Sequence, residues 1–319
     1  MIKKAFILGA GLGTRLRPMT NVRPKPLVPL FHKPMMMYAM DRALTLGIQD
    51  IAVNTHHLAA VWEEYFPTEG ESMYEGLNGV ASRQSSYEDA RVTLFNEPEL
   101  LETGGGIANI APWIGEEDVL VYNGDIYCSI PLEPLLALHE EGQYEATLIL
   151  RSEGPAQHIA IEGSRVVDIH QKLNTAEGTH QFTGIYAIKG ELLKRLEPNK
   201  KESIIRVFLE LAKEGKLGAV VVDEGEWFDL GTREMYLEAH ATASMRPEGA
   251  EEVDVTAQIA ENARVKSSWV GADVEVGRQV ILENSVVWPG VKLGTLSIIK
   301  DSIVFTDTPM GKELRGEDF

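Results

Sequence analysis

Cysteine is nearly absent from this sequence, since Cys128 is the only one among 319 residues. A single cysteine excludes an internal disulfide framework and favours a reducing compartment. Long hydrophobic runs are absent as well. The apolar run at residues 5–8 is too short for the core of a signal peptide, and no run approaches the length of a membrane span. We therefore expect a cytoplasmic protein that does not enter a membrane.

Acidic residues are missing from the first forty positions, although the whole chain has a formal net charge of -18. The overall acidity argues against non-specific binding of nucleic acid. It leaves room for one nucleotide in a local cationic pocket. Up to Asp41 the charged residues are all cations: Lys3, Lys4, Arg15, Arg17, Arg23, Lys25 and Lys33. This cationic head predicts an anionic ligand.

A glycine-rich loop follows the short apolar strand predicted at residues 5–8. Its glycines are Gly9, Gly11 and Gly13. Glycines let the backbone approach phosphates closely, and successive N–H groups can then point at the oxygens. The spacing G-x-G-x-x-G and the sequence G-K-[ST] are both absent, so the dinucleotide and P-loop fingerprints do not apply. The simpler alternative is a tight strand-to-helix turn.

Two cations after this loop are held next to prolines. Arg23 precedes Pro24, and Lys25 lies between Pro24 and Pro26. A residue before proline is restricted to extended geometry, so we expect Arg23 and Lys25 to be stiffly presented. Arg15 can make forked contacts with phosphate oxygens.

Strands alternate with helices up to residue 150, which predicts an α/β fold of βαβ units with a mixed, mostly parallel sheet and helices on both faces. In such sheets ligands bind outside the carboxyl ends of the strands. The loop at residues 9–17, the Thr103–Gly106 stretch and the Asn123–Asp125 stretch would all lie at that edge. Residues 68–90 are predicted as a loop or a small hairpin, residues 103–113 as a helix, and residues 159–188 as antiparallel strands. Thr232 is the expected N-cap of a helix over residues 233–242.

The domain boundaries follow from composition. We predict a catalytic domain at residues 1–243, a linker at 244–252 and a β-helix-like tail at 253–319. Apolar residues in the tail recur every six positions, and this period is typical of a parallel β-helix. They are Val253, Ile259, Val265 and, after a slip, Val276, Leu282 and Trp288. Only about three coils fit, so the tail is expected to pack on something, including a second copy of the chain in a homo-oligomer. The alternative is an irregular β appendage.

The head of the chain resembles the sugar-1-phosphate nucleotidyltransferases. The resemblance rests on G-A-G-L-G-T-R-L-R-P-M-T followed by R-P-K-P-L-V-P-L, a long and specific pattern that begins at Gly9. It covers the chain strongly to about His240 and more weakly in the tail. It implies a Rossmann-like catalytic fold, and in the tail the short left-handed β-helix that members often append.

The resemblance also implies a metal. The family's N-G-D and W-x-D-x-G-T aspartates hold Mg²⁺, and they correspond here to Asp125 and Asp229. Asp125 ends an apolar strand, where a carboxylate would be costly unless it bound a cation. Oxygen ligands and substrate phosphates suit Mg²⁺. The alternative for Asp229 is a cap of the turn before Gly231.

The reaction implied needs no protein nucleophile. The sugar-1-phosphate oxygen attacks the α-phosphorus of the nucleotide in line, and pyrophosphate leaves. Catalysis then consists of positioning and charge neutralisation. Arg15 is expected at the β- and γ-phosphates, Lys25 at the α-phosphate, and Asp125 at the metal.

The remaining expected contacts fall into two groups. The nucleotide would contact the glycine loop and the region from Glu97 to Gly104. The expected residues are Leu8, Gly9, Ala10, Gly11, Gly13, Thr14, Glu97, Thr103 and Gly104. The sugar phosphate would meet Glu102, Asn123, Gly124, Lys172, Thr183 and Gly184. Lys172 is an imperfect match, because the family has Glu-Lys-Pro where this chain has Gln171-Lys172-Leu173. The alternative for Lys172 is an exposed surface lysine.

The donor base stays open between UTP and GTP. L-E-T-G-G-G at residues 101–106 is similar to the muramic acid-1-phosphate uridylyltransferases, whereas the compact tail is similar to the mannose- and heptose-1-phosphate guanylyltransferases. Two other functions compete with an active sugar-1-phosphate enzyme. One is a non-catalytic regulatory homologue that binds nucleotide sugar, and the other is a nucleotidyltransferase for a different phosphate such as phosphocholine.

Overall fold

The apolar strand predicted at residues 5–8 forms as β1 (Lys4–Leu8), with Phe6 and Ile7 fully buried. The computed structural model describes every residue except Met1, Asn78, Val80, Ala243 and Met245. Packing divides the chain into two units. The sheet unit comprises residues 1–12 and 36–227, and the signature unit comprises residues 13–35 and 228–319. The predicted domain boundaries divide the chain into consecutive segments, whereas these units are grouped by packing. The boundaries therefore stay a prediction.

Alternating strands and helices form much as the pattern predicts. The strands up to residue 229 are β1, β2 (Pro29–Leu30), β3 (Lys33–Pro34), β4 (Asp50–Thr55), β5 (Gly70–Glu75), β6 (Ala81–Tyr87), β7 (Ala90–Asn96), β8 (Val119–Asn123), β9 (Ile126–Cys128), β10 (Ala146–Arg151), β11 (Gln157–Glu162), β12 (Arg165–Ile169), β13 (His180–Ile188), β14 (Leu217–Val221) and β15 (Trp227–Asp229). The helices are α1 (Met35–Thr45), α2 (Ala59–Tyr65), α3 (Glu102–Asn109), α4 (Ala111–Ile114), α5 (Glu133–Glu140), α6 (Ile205–Glu214) and α7 (Arg233–Ala241).

The sheet unit is built on one eleven-stranded mixed sheet in the order β10-β14-β12-β11-β13-β8-β1-β4-β7-β6-β5. Parallel pairing is concentrated in its centre, where β8, β1, β4 and β7 run side by side, and recurs between β10 and β14. The other pairs are antiparallel, including those of β11, β12 and β13. The predicted mixed α/β sheet is confirmed.

Two stretches have more detail in the structure than the sequence pattern predicts. The stretch at residues 68–90 joins the main sheet as the antiparallel pair β5 and β6. The helix expected over residues 103–113 is two helices, α3 and α4, and Pro112 lies at the start of the second. Proline has no N–H to continue a helix ladder but is well tolerated in a first turn, which accounts for the break.

The signature unit begins without regular structure. The signature segment, residues 13–35, consists of three short 3₁₀ turns and the two-residue strands β2 and β3, which pair with each other. Helix α7 follows, and Thr232 caps it by accepting a hydrogen bond from Met235 N at 3.3 Å, as predicted.

The rest of the signature unit is a stack of short parallel strands: β16 (Gln258–Ile259), β17 (Arg264–Lys266), β18 (Trp269–Val270), β19 (Glu275–Val276), β20 (Ile281–Glu283), β21 (Val286–Val287), β22 (Lys292–Leu293), β23 (Ile298–Lys300), β24 (Ile303–Val304) and β25 (Glu313–Arg315). They form three sheets, β16-β19-β22, β17-β20-β23-β25 and β18-β21-β24. This is consistent with the predicted β-helix.

The period of this stack refines the predicted repeat. Ser302 N donates to Ser285 Oγ, and Ser285 N donates to Ser268 Oγ, each across 17 residues. The last coil, from β23 to β25, takes 15 residues, and the coils before it take 17, which is one short of three hexapeptides. That deficit explains the slip in the apolar pattern. Along the part of the chain that the structure describes, no helix is long and apolar enough to cross a membrane.

A buried ion-pair cluster ties β10 to the elements around it. Glu145 immediately precedes β10 and accepts hydrogen bonds from Arg195 Nε and Nη2 at 2.8 and 2.9 Å. It also accepts one from Lys216 Nζ at 2.7 Å. The hydrogen bonds from Arg195, followed by that from Lys216, lower the pKa of Glu145 in spite of its burial.

We expect Glu145→Gln to lower the free energy of unfolding by about 1.5–3 kcal/mol at pH 7, because charge-assisted hydrogen bonds are lost. A carboxyl whose pKa is lowered by folding stabilises above its unfolded pKa, and this contribution is lost as the pH falls. Urea unfolding should show that the difference in unfolding free energy between the wild type and Glu145→Gln is smaller near pH 4 than at pH 7. Glu162→Gln, which alters an exposed pair with Arg165, is the matched control. A difference that is constant with pH would contradict the ionic origin.

Candidate active site

Three parallel strands of the sheet unit end side by side. In the register, Leu8 at the end of β1 is opposite Asn54 of β4 and Asn123 of β8. Gly124 N donates to Leu8 O at 3.0 Å, which closes the edge. The first glycines of the loop and the Asn-Gly-Asp stretch therefore meet at the carboxyl edge of the sheet, where ligands of such sheets bind.

A buried network that the sequence did not reveal holds the first glycine. Gly9 N donates to Asn54 Oδ1 at 2.7 Å, and Asn54 Nδ2 donates to Glu97 Oε1 at 2.6 Å. The other carboxylate oxygen of Glu97 accepts from Leu101 N at 3.0 Å. The network thus links the glycine loop to the residue that precedes α3.

Glu97 is buried, with an exposed fraction of 1%. Burial raises its pKa, while the hydrogen bonds from Asn54 and Leu101 and the nearby His56 act in the opposite direction. Both carboxylate oxygens are engaged within the protein. The influence of Glu97 on a nucleotide would therefore be exerted through Gly9 and Leu101. In the sequence, the only signal for Asn54 was its position as a polar residue directly after the apolar residues 51–53 of β4.

The Thr-Gly-Gly-Gly stretch at the start of α3 packs against residues 200–204. Gly104 N and Gly105 N both donate to Glu202 O, at 2.8 and 3.1 Å. Thr103 Oγ1 accepts from Ile204 N at 3.0 Å. A Cβ on Gly105 would fall 2.4 Å from Lys200 O. These glycines are thus explained by the close approach of another segment, and the predicted nucleotide contacts of Thr103 and Gly104 stay a prediction.

On the predicted sugar side, two of the expected residues touch. A Cβ on Gly184 would fall 2.6 Å from Asn123 Nδ2. The neighbouring Thr183 is fully buried, and its hydroxyl donates to Ile149 O at 2.9 Å. The side chain of Thr183 therefore supports the strand. Because it is buried, a sugar would contact neighbouring residues instead of this side chain.

Glu102 has a left-handed backbone conformation, with φ of 61°, and its side chain is 45% exposed. Its nearest cation is Lys201, at 3.8 Å. The sequence predicted a sugar contact here, and the structure presents the carboxylate to solvent at the start of α3. Asp125 is half-buried in the two-residue link, Gly124 and Asp125, between β8 and β9.

Lys172 lies on the turn after β12. Its turn is organised by Asp168, which accepts hydrogen bonds from Leu173 N at 3.1 Å and Thr175 N at 2.9 Å. Burial raises the pKa of Asp168, but these hydrogen bonds outweigh it, and the net pKa is lowered. Lys172 lines a surface cleft of about 530 Å³ together with Arg165, Lys213 and Glu162. Glu162 pairs with Arg165 at 2.6 Å, so the cleft combines cations with one carboxylate.

In the signature unit, Gly13 is fixed by conformation and by contact. Its φ is 59°, a region that L side chains rarely adopt. A Cβ there would fall 2.9 Å from Lys25 Cβ and 2.8 Å from Thr20 Cγ2. Thr20 Oγ1 donates to Gly13 O at 2.9 Å. The backbone at Gly13 and the stem of Lys25 are therefore in direct contact.

Three residues predicted from the sequence come together in this unit. Lys25 is 6% exposed, and its Nζ lies 3.7 Å from Asp229 Oδ1. Arg15 is exposed, and its guanidinium covers Gly231, where a Cβ would fall 2.6 Å from Nη2. Two cations thus flank the Asp-Leu-Gly stretch that carries the predicted metal ligand.

The expected backbone geometry of Lys25 was wrong. Lys25 opens a 3₁₀ turn, Lys25–Leu27, with Leu27 N bonded to Pro24 O at 2.9 Å and Val28 N bonded to Lys25 O at 3.1 Å. The preference of a residue before proline for extended geometry is overridden by these two turn bonds. Burial of the side chain, rather than an extended backbone, holds the lysine in place.

The profile of the Nucleotidyl transferase family matches residues 4–245. The chain belongs to this family. The family predicted from the signature is confirmed, and the chain is a nucleotidyltransferase by descent. The matched residues include β1 with the glycine loop that follows it, and the segment that carries Lys25.

The chain is similar to two curated mannose-1-phosphate guanylyltransferases. It is 27% identical over 312 residues to a mannose-1-phosphate guanylyltransferase of Mycobacterium tuberculosis, which covers 93% of this chain and 82% of that protein. It is 25% identical to the mannose-1-phosphate guanylyltransferase catalytic subunit beta of Dictyostelium discoideum, over 73% of this chain but only 62% of that protein. Among solved structures, a UDP-glucose pyrophosphorylase from Acinetobacter baumanii has a TM-score of 0.60 at 20% identity, over 75% of this chain and 92% of that one. The last likeness concerns the fold.

We expect Asn54→Ala to loosen the glycine loop of this nucleotidyl transferase. It would leave Gly9 N and one oxygen of Glu97 buried without their partner, at about 1–3 kcal/mol of unfolding free energy. Denaturant unfolding measures this loss, and the KM for the nucleotide should rise because the loop is less ordered. Asn262→Ala, which removes an exposed hydrogen bond from Gln279 N at 3.2 Å, is the control for loss of an asparagine contact outside the network. Unchanged stability and KM in Asn54→Ala would refute the role of the network.

Proposed function

We propose that this chain transfers a nucleotidyl group from a nucleoside triphosphate to a sugar 1-phosphate and releases pyrophosphate. The observation that carries the proposal is the buried Lys25, with its Nζ 3.7 Å from Asp229 Oδ1. A buried ammonium next to a carboxylate provides fixed charges at which phosphate oxygens can be neutralised. The names of the relatives, mannose-1-phosphate guanylyltransferases, support the sugar-phosphate class and make GTP the first donor to test.

The bond changes balance without a covalent enzyme intermediate. An oxygen of the sugar phosphate forms a bond to the α-phosphorus, and the bond from that phosphorus to the β-bridging oxygen breaks. The electron pair of the broken bond stays on the departing pyrophosphate. In this proposal Lys25 neutralises charge on the α-phosphoryl group, and Arg15 neutralises charge on the leaving group.

The sheet unit would contribute the substrate-binding backbone. Gly9 and Gly11 present main-chain groups beyond β1, and Asn123 with Gly184 would face the sugar. Leu8, Ala10 and Gly124 belong to the same edge, and Gly13 with Thr14 continues the loop in the signature unit. Lys172 is the proposed sugar-phosphate contact. Each of these assignments carries the sequence prediction forward as a proposal.

Mg²⁺ is the proposed cofactor, held by Asp125 and Asp229. The donors fit it, since carboxylate oxygens are the ligands that Mg²⁺ prefers, and the Asp229 side chain is 36% exposed next to Lys25. Throughout the residues that the structure describes, no group of three or more His, Cys, Asp or Glu could hold a metal alone. That suits an ion which keeps waters and substrate phosphates as its other ligands. When bound, it would polarise the phosphoryl oxygens.

The first test is pyrophosphate release with Mg²⁺ across a matrix of nucleoside triphosphates and sugar 1-phosphates. We expect one strong combination, beginning with GTP and mannose 1-phosphate, because discrimination depends on hydrogen bonds to one base and one sugar. Adding phosphocholine to the matrix tests the other acceptor class. No release with any pair, together with thermal stabilisation by a nucleotide, would contradict the enzyme and favour a regulatory homologue.

A second test concerns the carboxylates. We expect Asp125→Asn and Asp229→Asn each to reduce kcat by about 10²–10³, the usual effect of removing one group that stabilises transition-state charge. Folding should persist, and protection of the protein by Mg²⁺ with nucleotide in thermal unfolding should weaken. Asp273→Asn, at an exposed left-handed position, is the control because asparagine tolerates that conformation. Full turnover in both site variants would exclude the metal assignment.

A further inference from the structure

The hairpin that ends the signature segment has an unfavourable turn. β2 and β3 pair through Pro29 with Pro34 and Leu30 with Lys33. Between them Phe31 has a φ of 55°. A left-handed conformation at a residue with a bulky side chain is unfavourable and persists only when its surroundings enforce it. Contacts within the signature unit supply that enforcement.

One set of contacts passes through His240 of α7. Phe31 N donates to His240 Nε2 at 3.0 Å, and His240 Nδ1 donates to Tyr236 O at 2.9 Å. Burial lowers the pKa of His240 to about 4. The imidazole is therefore neutral at physiological pH, with its proton on Nδ1 and a lone pair on Nε2 for Phe31.

The parallel strands hold this histidine from the other side. Trp269 of β18 donates from Nε1 to His240 O at 2.8 Å. The ring of Trp269 also packs edge-on against Phe31, with 4.8 Å between centroids. The strained turn is thus sandwiched between α7 and the first complete coil.

A second set of contacts reaches Pro29. Tyr236 is fully buried, and its hydroxyl donates to Pro29 O. Trp288, just after β21, donates from Nε1 to the same hydroxyl at 3.2 Å. The guanidinium of Arg23 lies 5.3 Å above the Trp288 ring, within cation–π range. Residues from two successive coils therefore act on the signature segment at Arg23, Pro29 and Phe31.

The hairpin is directly continuous with the turn of Lys25. Val28 N donates to Lys25 O at 3.1 Å, and Met35 N donates to Val28 O at 3.0 Å. Moving Pro29 or Phe31 would therefore displace the turn that carries the lysine.

We propose that Tyr236 and His240 are positioning residues for nucleotidyl transfer, and that the strands at residues 258–315 belong to the catalytic apparatus through Trp269 and Trp288. The inference rests on the proposed function, since it acts through Lys25. Its physical part, the control of the signature segment by these contacts, stands on the geometry alone. The tail therefore has a role within its own chain that does not depend on assembly.

Limited trypsin digestion tests the physical part. Trypsin cuts poorly before proline, and Arg17, Arg23, Lys25 and Lys33 each precede one. The Arg15–Leu16 bond is consequently the one readily cleaved bond of the segment, and Leu16 is buried. We expect Tyr236→Phe to speed cleavage there about five- to tenfold, because loss of the hydrogen bond to Pro29 O, together with that from Trp288, raises local opening. Mass spectrometry identifies the cut.

The matched control is Tyr186→Phe. Tyr186 is as deeply buried in the sheet unit, but its hydroxyl has no hydrogen-bond partner among the described residues. Cleavage at Arg15 should be unchanged in this variant. Equal cleavage rates in Tyr236→Phe and Tyr186→Phe would overturn the proposal.

Kinetics test the positioning role. We expect Tyr236→Phe to lower kcat about tenfold with little change in either KM, because Lys25 is assigned to the transition state. Faster cleavage with an unchanged kcat would overturn the catalytic role. Faster cleavage in a protein whose wild type turns over no substrate pair would instead refute the proposed function. Should Tyr236→Phe not fold, Trp288→Phe, which keeps an aromatic ring and removes the N–H, should show the same changes to a smaller degree.

Discussion

The signature segment cannot fold by itself, and this constraint shapes the molecule. It has three 3₁₀ turns of three residues each and a hairpin of two-residue strands. Such pieces close few backbone hydrogen bonds for the residues that they fix, so they are not stable alone. Their order must come from tertiary contacts. The buried hydroxyl of Tyr236 and the neutral imidazole of His240 provide two of these contacts. Both act on backbone atoms of the segment, Pro29 O and Phe31 N, and not on its side chains.

The sheet unit solves a different problem at the carboxyl edge of its central strands. There the backbone must remain close to a ligand, so bulky side chains cannot hold it in place. Asn54 instead takes the N–H of Gly9 and passes the connection to Glu97, which also fixes Leu101. A carboxylate with an exposed fraction of 1% is costly unless its oxygens are satisfied. Because both are, the network can be rigid, and rigidity at this edge favours a preformed nucleotide site.

Much of the fold followed from patterns with a physical period. β1, the alternating helices and strands, and the Thr232 cap each depend on local chemistry that the sequence displays directly. Arg15, Lys25 and Asp229 belong to motifs of fixed length and lie together in one unit, while their roles stay a prediction. The sequence revealed least where a contact joins distant residues. Nothing local marks Asn54 as the partner of Gly9, and the glycines at residues 104–105 respond to a segment almost a hundred positions away. Lys25 opens a turn against its local preference because two turn bonds and burial outweigh the pressure from Pro26.

The charge distribution gains a structural meaning from these contacts. An ammonium that is only 6% exposed must be compensated, and the carboxylate of Asp229 lies 3.7 Å from it. The pair is asymmetric, since the carboxylate is 36% exposed while the lysine is enclosed. An incoming phosphate can therefore approach from the open side of Asp229, where its charge would repel the carboxylate unless a cation lay between them. In the proposed reaction, a divalent ion held at Asp229 would offset this repulsion. A lysine on the surface would not need a carboxylate partner, and this is why the burial of Lys25, and hence the scaffold behind the signature segment, matters for the proposed reaction.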